Sequence, residues 1–359
     1  MRVLLATGIY PPEIGGPATF VPLLARFLHT QGDVVSVVTY GDARARTNED
    51  WRVTVVPRGP SVLWRYLRYA WHVYRQASQF DVVFAQGAVS EGFPAAIAAW
   101  FAHKPFVLRV PGDYAWEQYQ QRTSLDQVEL LDAFVSHRHA GMIRVLEWIE
   151  RWVARQATRI IVPSEYLKRI LGSWGVHQDR ISVIYNDVDP LPPAKESREV
   201  LQMRFGFHSD ARILFTIARA VPWKGVEFLI SLLNQLPPSM VLVIAGDGPL
   251  LPTWRELIRT QGLEGRVILL GRWPHAELAS WFQVADAFVL ASNYEGFPHV
   301  AIEAAMQGLP CVLSDAGGNP EATTLLPGFT TILPTGDREA WIRGLKNFSF
   351  VRKAPFIPS

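Results

Sequence analysis

The chain is 359 residues long, with 49% apolar and 19% charged side chains. That length suits two domains, and that balance supports two hydrophobic cores and excludes a disordered chain. The formal charge of +2 excludes a chain built to grip nucleic acid, and a single cysteine, Cys311, excludes a disulfide framework and a cysteine-based zinc site.

Short runs rich in Val, Ile and Phe mark strands at 2–6, 34–39, 53–56, 81–85, 106–110 and 159–162. The intervals are long enough for crossover helices, which is the signature of a parallel, doubly wound sheet. The segment 114–140 breaks the alternation and reads as an insertion. At 187–194 the sequence Asp-Val-Asp-Pro-Leu-Pro-Pro-Ala stops regular structure and suits a hinge. The alternation restarts with strands at 212–218, 241–245, 266–270, 287–290 and 310–313, and helices such as 225–235 and 250–260. The expected class is therefore α/β, with two Rossmann-like domains at 1–190 and 191–345 and a tail at 346–359. Two such domains facing each other would bring the carboxyl ends of both sheets to one cleft.

The residues 1–8 form too short an apolar run for a signal peptide, and the longest charge-free apolar stretch, 93–102, is well short of the ~20 residues a spanning helix needs. A cytoplasmic chain is expected, with one candidate for contact at the inner face of a membrane. The stretch 61–76 holds Trp64, Arg65, Tyr66, Arg68, Tyr69, Trp71, His72, Tyr74 and Arg75 and no acid. Rings and cations without acids suit an anionic lipid surface. The plainer alternative is a crossover helix that packs Leu63, Leu67, Ala70 and Val73 on the sheet.

Three segments carry chemistry. After the first strand, 11–17 includes Gly15 and Gly16 before a helix, where backbone can approach an anion. It has neither dinucleotide-fingerprint nor Walker spacing. After the strand at 212–218, Arg219 and Lys224 stand five residues apart on a loop, a pair suited to neutralising a diphosphate as it departs. The third segment, 295–303, reads Glu-Gly-Phe-Pro-His-Val-Ala-Ile-Glu. Glu295 follows a strand, Gly296 permits a tight turn, and Pro298 suits a helix start. Glu303 then lies in a largely apolar helix, where a carboxylate needs a partner.

With seven residues between Glu295 and Glu303, the chain resembles the retaining glycosyltransferases of family 4, which have the GT-B fold. The resemblance continues through 304–312 and through Gly15-Gly16, 163–167, 184–189 (including Asn186), Arg219/Lys224 and Gly246-Asp247-Gly248, covering roughly 1–345. It implies a nucleotide-diphosphate sugar bound mainly by the second domain. Arg219 and Lys224 would hold the diphosphate, Glu303 the ribose hydroxyls, and Glu295 the hexose. Gly246 and Gly248 would join the donor site. Gly296, Phe297, Pro298 and His299 would supply the helix mouth, and Gly15 and Gly16 would lie by the phosphate. Arg219, Lys224 and Glu295 are the candidate catalytic residues. No metal and no cofactor is expected beyond the donor itself. The acceptor would be a glycan or a lipid-linked sugar, as in cell-surface polysaccharide or glycolipid synthesis. Many relatives carry a histidine after the fifth strand. Here Arg109 and Asp113 stand there as candidates for the acceptor side, together with Asn186. That departure keeps open a catalytically weak sugar-nucleotide-binding subunit, and an epimerase or phosphorylase on the same fold is a further alternative. Relatives also end in a helix that crosses back to the first domain, whereas 348–358 has no helical period.

Overall fold

The computed structural model describes every residue except 14, 42–49, 60, 124–127, 189, 190, 192–195 and 357–359. Ile14 of the first glycine segment and the prolines expected to form the hinge lie outside the described residues. The chain divides into two compact units, residues 1–119 with 135–185, and residues 120–134 with 186–359.

The first part of the chain runs β1 (Arg2–Thr7), α1 (Gly16–Thr30), β2 (Val34–Tyr40), β3 (Arg52–Val56), α2 (Val62–Ala77), β4 (Val82–Gln86), α3 (Gly92–Phe101) and β5 (Phe106–Arg109). It continues with α4 (Tyr114–Gln120), α5 (Leu131–Ser136), α6 (Gly141–Gln156), β6 (Arg159–Val162), α7 (Glu165–Ser173) and β7 (Ile181–Val183). All seven strands are parallel, in the order β3-β2-β1-β4-β5-β6-β7. The three-residue β7 is too short to show a pattern in sequence. Strand alternation divides the two faces. Val3, Leu5, Val35 and Val37 pack with Val21 and Ala25 of α1. On the other face the Ser36 hydroxyl donates to Gln76 of α2 at 2.9 Å, and the Tyr69 hydroxyl is held by the carbonyls of Thr7 and Val38.

Helix α2 starts where Ser61 caps the Trp64 amide. It buries Tyr69, Val73, Gln76 and Ala77 against the sheet. Leu63 and Leu67, which an ordinary crossover helix would bury, are exposed, as are Trp64 and Trp71. The reason is that Tyr69 and Gln76 use their polar ends on backbone and Ser36, and so take the inward stripe. Neighbouring helices α3 and α6 expose Trp100, Phe101, Met142, Val145 and Trp148 in the same way.

The second part runs α8 (Arg198–Phe205), β8 (Arg212–Ile217), α9 (Val226–Leu232), β9 (Met240–Ala245), α10 (Leu251–Thr260), β10 (Val267–Gly271) and α11 (His275–Val284). It ends with β11 (Ala287–Leu290), α12 (His299–Met306), β12 (Cys311–Ser314), α13 (Ala322–Leu325), β13 (Thr330–Leu333) and α14 (Arg338–Lys346). The parallel order is β10-β9-β8-β11-β12-β13. Ile213 and Phe215 of β8 face Trp281 and Phe282 of α11, while Leu214 faces Leu229, Ile230 and Trp341. Both faces are dry, as a doubly covered parallel sheet requires. The irregular tail packs on this same unit. Lys353 and Phe356 donate backbone bonds to Gly308 and Ala305, and the Arg352 guanidinium donates to the carbonyls of Phe282, Gln283, Ala285 and Gln307. One side chain thus satisfies carbonyls at the C-terminal ends of α11 and α12.

Candidate active site

In the second sheet the chain winds outward in opposite directions from β8 and β11, so the point between these strands is where ligands collect in such sheets. Leaving β8, the loop carries exposed Arg219 and turns through a short 3-10 segment, Pro222–Lys224. Gly225 then takes φ 62°, and a methyl group there would stand 2.0 Å from the Ala291 carbonyl oxygen. Only glycine allows this loop to lie so close to the end of β11. Gly246 fits similarly against Ala218 after β9, with φ 142°. Gly248 packs against Ala220. Both glycines therefore set the path of the Arg219 loop.

The two strand ends are joined by charge. Lys224 Nζ donates to Glu295 Oε1 at 2.6 Å, and the Ser292 hydroxyl donates to the same oxygen at 2.7 Å. Both charged side chains are largely buried, 21% and 12% exposed, so the pair is stronger than a surface ion pair. From behind, the Gly318 amide donates to the Glu295 carbonyl at 2.7 Å, and Gly317 leaves room for the Glu295 backbone. Ser292 is itself fixed, because its carbonyl accepts from Ser314, which accepts from Asn319. Among the described residues Arg219 makes no ion pair, so its charge is available at the mouth.

Helix α12 starts at His299 with Pro298 as its cap residue. Its first-turn amides present a partial positive charge beside Gly296 and Glu295. The Phe297 ring is buried in the core and meets the His299 ring edge-on at 5.1 Å, so it braces the helix mouth from inside. His299 Nε2 lies in hydrogen-bond contact with the Asn186 amide. This joins Asn186, expected on the acceptor side, to the α12 mouth within the second unit. Glu303 lies half-buried on α12, on the turn after His299. Sequence reasoning passed over Ser292, Ser314, Asn319 and the glycine pair 317–318. Ser292-x-x-Glu295 after a strand was the available signal.

The first unit carries further candidates of its own. Gly15 and Gly16 lead into α1, where a methyl group at Gly15 would meet Ile9 at 2.7 Å. Arg109 is 4% exposed, its guanidinium 3.9 Å from the centre of the Phe20 ring, and burial lowers its pKa to about 10. Asp113 is a helix pin. Its carboxylate accepts from the Trp116 amide at 2.8 Å, while Glu150 accepts from the amides of Tyr114 and Ala115. Burial pushes both carboxyls upward, and their shared contact keeps a proton on the pair. Asp113 thus holds the start of α4, with one oxygen on the Trp116 amide and the Glu150 carboxyl as its other partner. No group of three metal-ligating side chains converges among the described residues.

Two parallel, doubly wound sheets, one in each unit, are the architecture of the GT-B class of glycosyltransferase. The chain belongs to that class by family as well. Residues 14–190 match the profile of Glycosyltransferase Family 4, and residues 197–348 match that of the Glycosyl transferases group 1. The alpha-monoglucosyldiacylglycerol synthase of Streptococcus pneumoniae is 25% identical over 91% of this chain and 73% of its own. An Escherichia coli UDP-Gal:alpha-D-GlcNAc-diphosphoundecaprenol alpha-1,3-galactosyltransferase is 31% identical over 52% of this chain and 50% of its own. Among solved structures, the Anabaena protein HepE in complex with UDP superposes with a TM-score of 0.73 at 22% identity, covering 96% of this chain and 88% of that one. The chain is a glycosyltransferase.

Proposed function

We propose that this glycosyltransferase moves a hexose-type sugar, with retention of configuration, from a nucleotide-diphosphate sugar to a glycan or lipid-linked acceptor. The observation that carries this reading is the Lys224–Glu295 clasp across the ends of β8 and β11, beside exposed Arg219 and the start of α12. HepE is known in complexes with UDP and with UDP-glucose, which supports a donor of that chemistry.

In this mechanism Arg219, Lys224 and the α12 amides neutralise the diphosphate, so charge builds against fixed donors as the anomeric carbon–oxygen bond breaks. Glu295 holds Lys224 in register and turns its second oxygen to the hexose hydroxyls. Glu303 accepts from the ribose hydroxyls. The acceptor oxygen attacks on the face the leaving group vacates. Its proton passes to the departing phosphate oxygen, and no enzymic nucleophile and no metal is assigned. Gly15 and Gly16 contribute the first unit's close backbone approach.

A lipid-linked acceptor also accounts for α2. Trp64, Leu67 and Trp71 are exposed beside Arg68 and Arg75, and no helix among the described residues is long and apolar enough to cross a membrane. We assign this face to an anionic lipid surface, at the inner side of the membrane. A panel of nucleotide sugars, scored for thermal stabilisation and for slow hydrolysis without acceptor, tests the donor. A chain that neither binds nor hydrolyses any of them would refute the reading.

A further inference from the structure

The first sheet has its own point where the connections diverge, between β1 and β4. A side chain that sequence reasoning passed over occupies it. Glu91, just ahead of α3, is 6% exposed, and its carboxyl rests between the ends of the two central strands. Two glycines make the slot. A methyl group at Gly8 would stand 2.9 Å from one carboxyl oxygen, and one at Gly87 would stand 2.7 Å from the other. A third, Gly92, clears the Gly87 carbonyl. The Gly8 backbone amide bonds the carboxyl. Three glycines and a buried acid cost stability, so packing alone gives no reason for the arrangement.

The surroundings define what the carboxyl would meet. Tyr40 of β2 and Tyr66 and Tyr69 of α2 lie within electrostatic reach of it. The hydroxyls of Tyr40 and Tyr69 are committed to the carbonyls of Ser90, Thr7 and Val38. Tyr66 is partly exposed, 6.2 Å from the Phe93 ring, with the Arg65 guanidinium 5.6 Å from its centre. Among the described residues no ion pair engages Glu91, and burial raises its pKa to about 8. At neutral pH the group is an uncharged carboxyl, which can both donate to and accept from a hydroxyl. A sugar offers hydroxyls to the carboxyl and an apolar ring face to tyrosine.

We propose that Glu91 is a specificity residue for the acceptor, its carboxyl hydrogen-bonding a hydroxyl of an uncharged sugar at the β1–β4 switch point beside Tyr66. This rests on the transferase reading and adds a residue to it on the acceptor side.

The test uses the full chain, the donor found by the nucleotide-sugar panel, and a panel of octyl glycosides as acceptors. Glu91→Ala should raise the KM for the glycoside at least tenfold with kcat changed far less, and Glu91→Gln should stay within about threefold of wild type at pH 7. Gly8 has an ordinary backbone, so Gly8→Ala is tolerated by the chain but crowds the carboxyl out of its slot. It should reproduce the Glu91→Ala effect, and the double variant should be no worse than either. Donor affinity by calorimetry should be unchanged throughout. Unchanged KM in Glu91→Ala, equal loss in Glu91→Gln, or loss of donor affinity would each overturn the assignment. So would a wild type that hydrolyses donor yet extends no glycoside. A wild type that hydrolyses no donor would instead overturn the transferase reading.

Discussion

Glu91 also makes a prediction that needs no ligand. Burial raises its pKa from 4.5 to about 8. Below pH 4.5 the carboxyl is protonated in the folded and unfolded chain alike, and the first unit has its full stability. Between those values the unfolded chain releases a proton that the folded chain keeps, so stability falls as pH rises. Above pH 8 both forms are ionised and the loss is complete. At about 1.4 kcal/mol per pKa unit, the span corresponds to about 5 kcal/mol as an upper figure. Glu91→Gln keeps the shape and cannot ionise. It should match wild type near pH 5 and exceed it at pH 9 by a few kcal/mol, a rise of roughly 10 °C in melting point for a unit of this size. Asp113 and Glu150 titrate identically in both proteins and cancel in the difference. Scanning calorimetry of the two proteins from pH 5 to 9 reads it directly. Parallel curves across that range would show that the carboxyl is not held neutral in its slot.

Lys224→Ala and Glu303→Ala should each weaken nucleotide-sugar binding about tenfold or more by calorimetry, and unchanged affinity would remove them from the donor site. Glu295→Ala should lower turnover more than affinity, because it frees Lys224 for the phosphates while losing its orientation; an equal loss in both would contradict the clasp. Replacing Trp64 and Trp71 with Ser should cut co-sedimentation with anionic liposomes and leave donor hydrolysis intact. Gly246→Ala would place a methyl group 1.9 Å from the Ala218 carbonyl oxygen, so it should cost several kcal/mol or displace the Arg219 loop, seen as lost donor affinity.

Much of this was legible because parallel strands buried on both faces print themselves as Val- and Ile-rich runs. The strands at 159–162 and 287–290 fall as the sequence indicates. β7 and β13 escaped, the first for its length and the second because the two threonines of Thr330–Leu333 dilute its apolar run. In the second unit the charged candidates were readable, since Arg219, Lys224 and Glu295 sit on loops with fixed spacing. Their supports were not, because Ser314, Asn319 and Gly318 act through single bonds to residues distant in sequence or to backbone, which leave no pattern. Asp113, a candidate because it stands where relatives carry a histidine, accepts from the Trp116 amide three residues on, a local bond that the sequence does not announce. Glu91 was hidden for a related reason, since its slot is made by glycines from two strands distant in sequence.

The Arg352 fork has a consequence for how variation in this protein is to be read. It grips the Gln307 carbonyl at the far end of α12, the helix whose near end carries His299 at the candidate site. The helix is therefore a lever with one end bolted and the other at that site. Damage to the bolt, even the loss of the planar fork in Arg352→Lys, would loosen His299 and Glu303 from a position some fifty residues away. A sequence change in the tail would then register in an assay as a change in substrate handling, although no atom of the tail need touch the substrate.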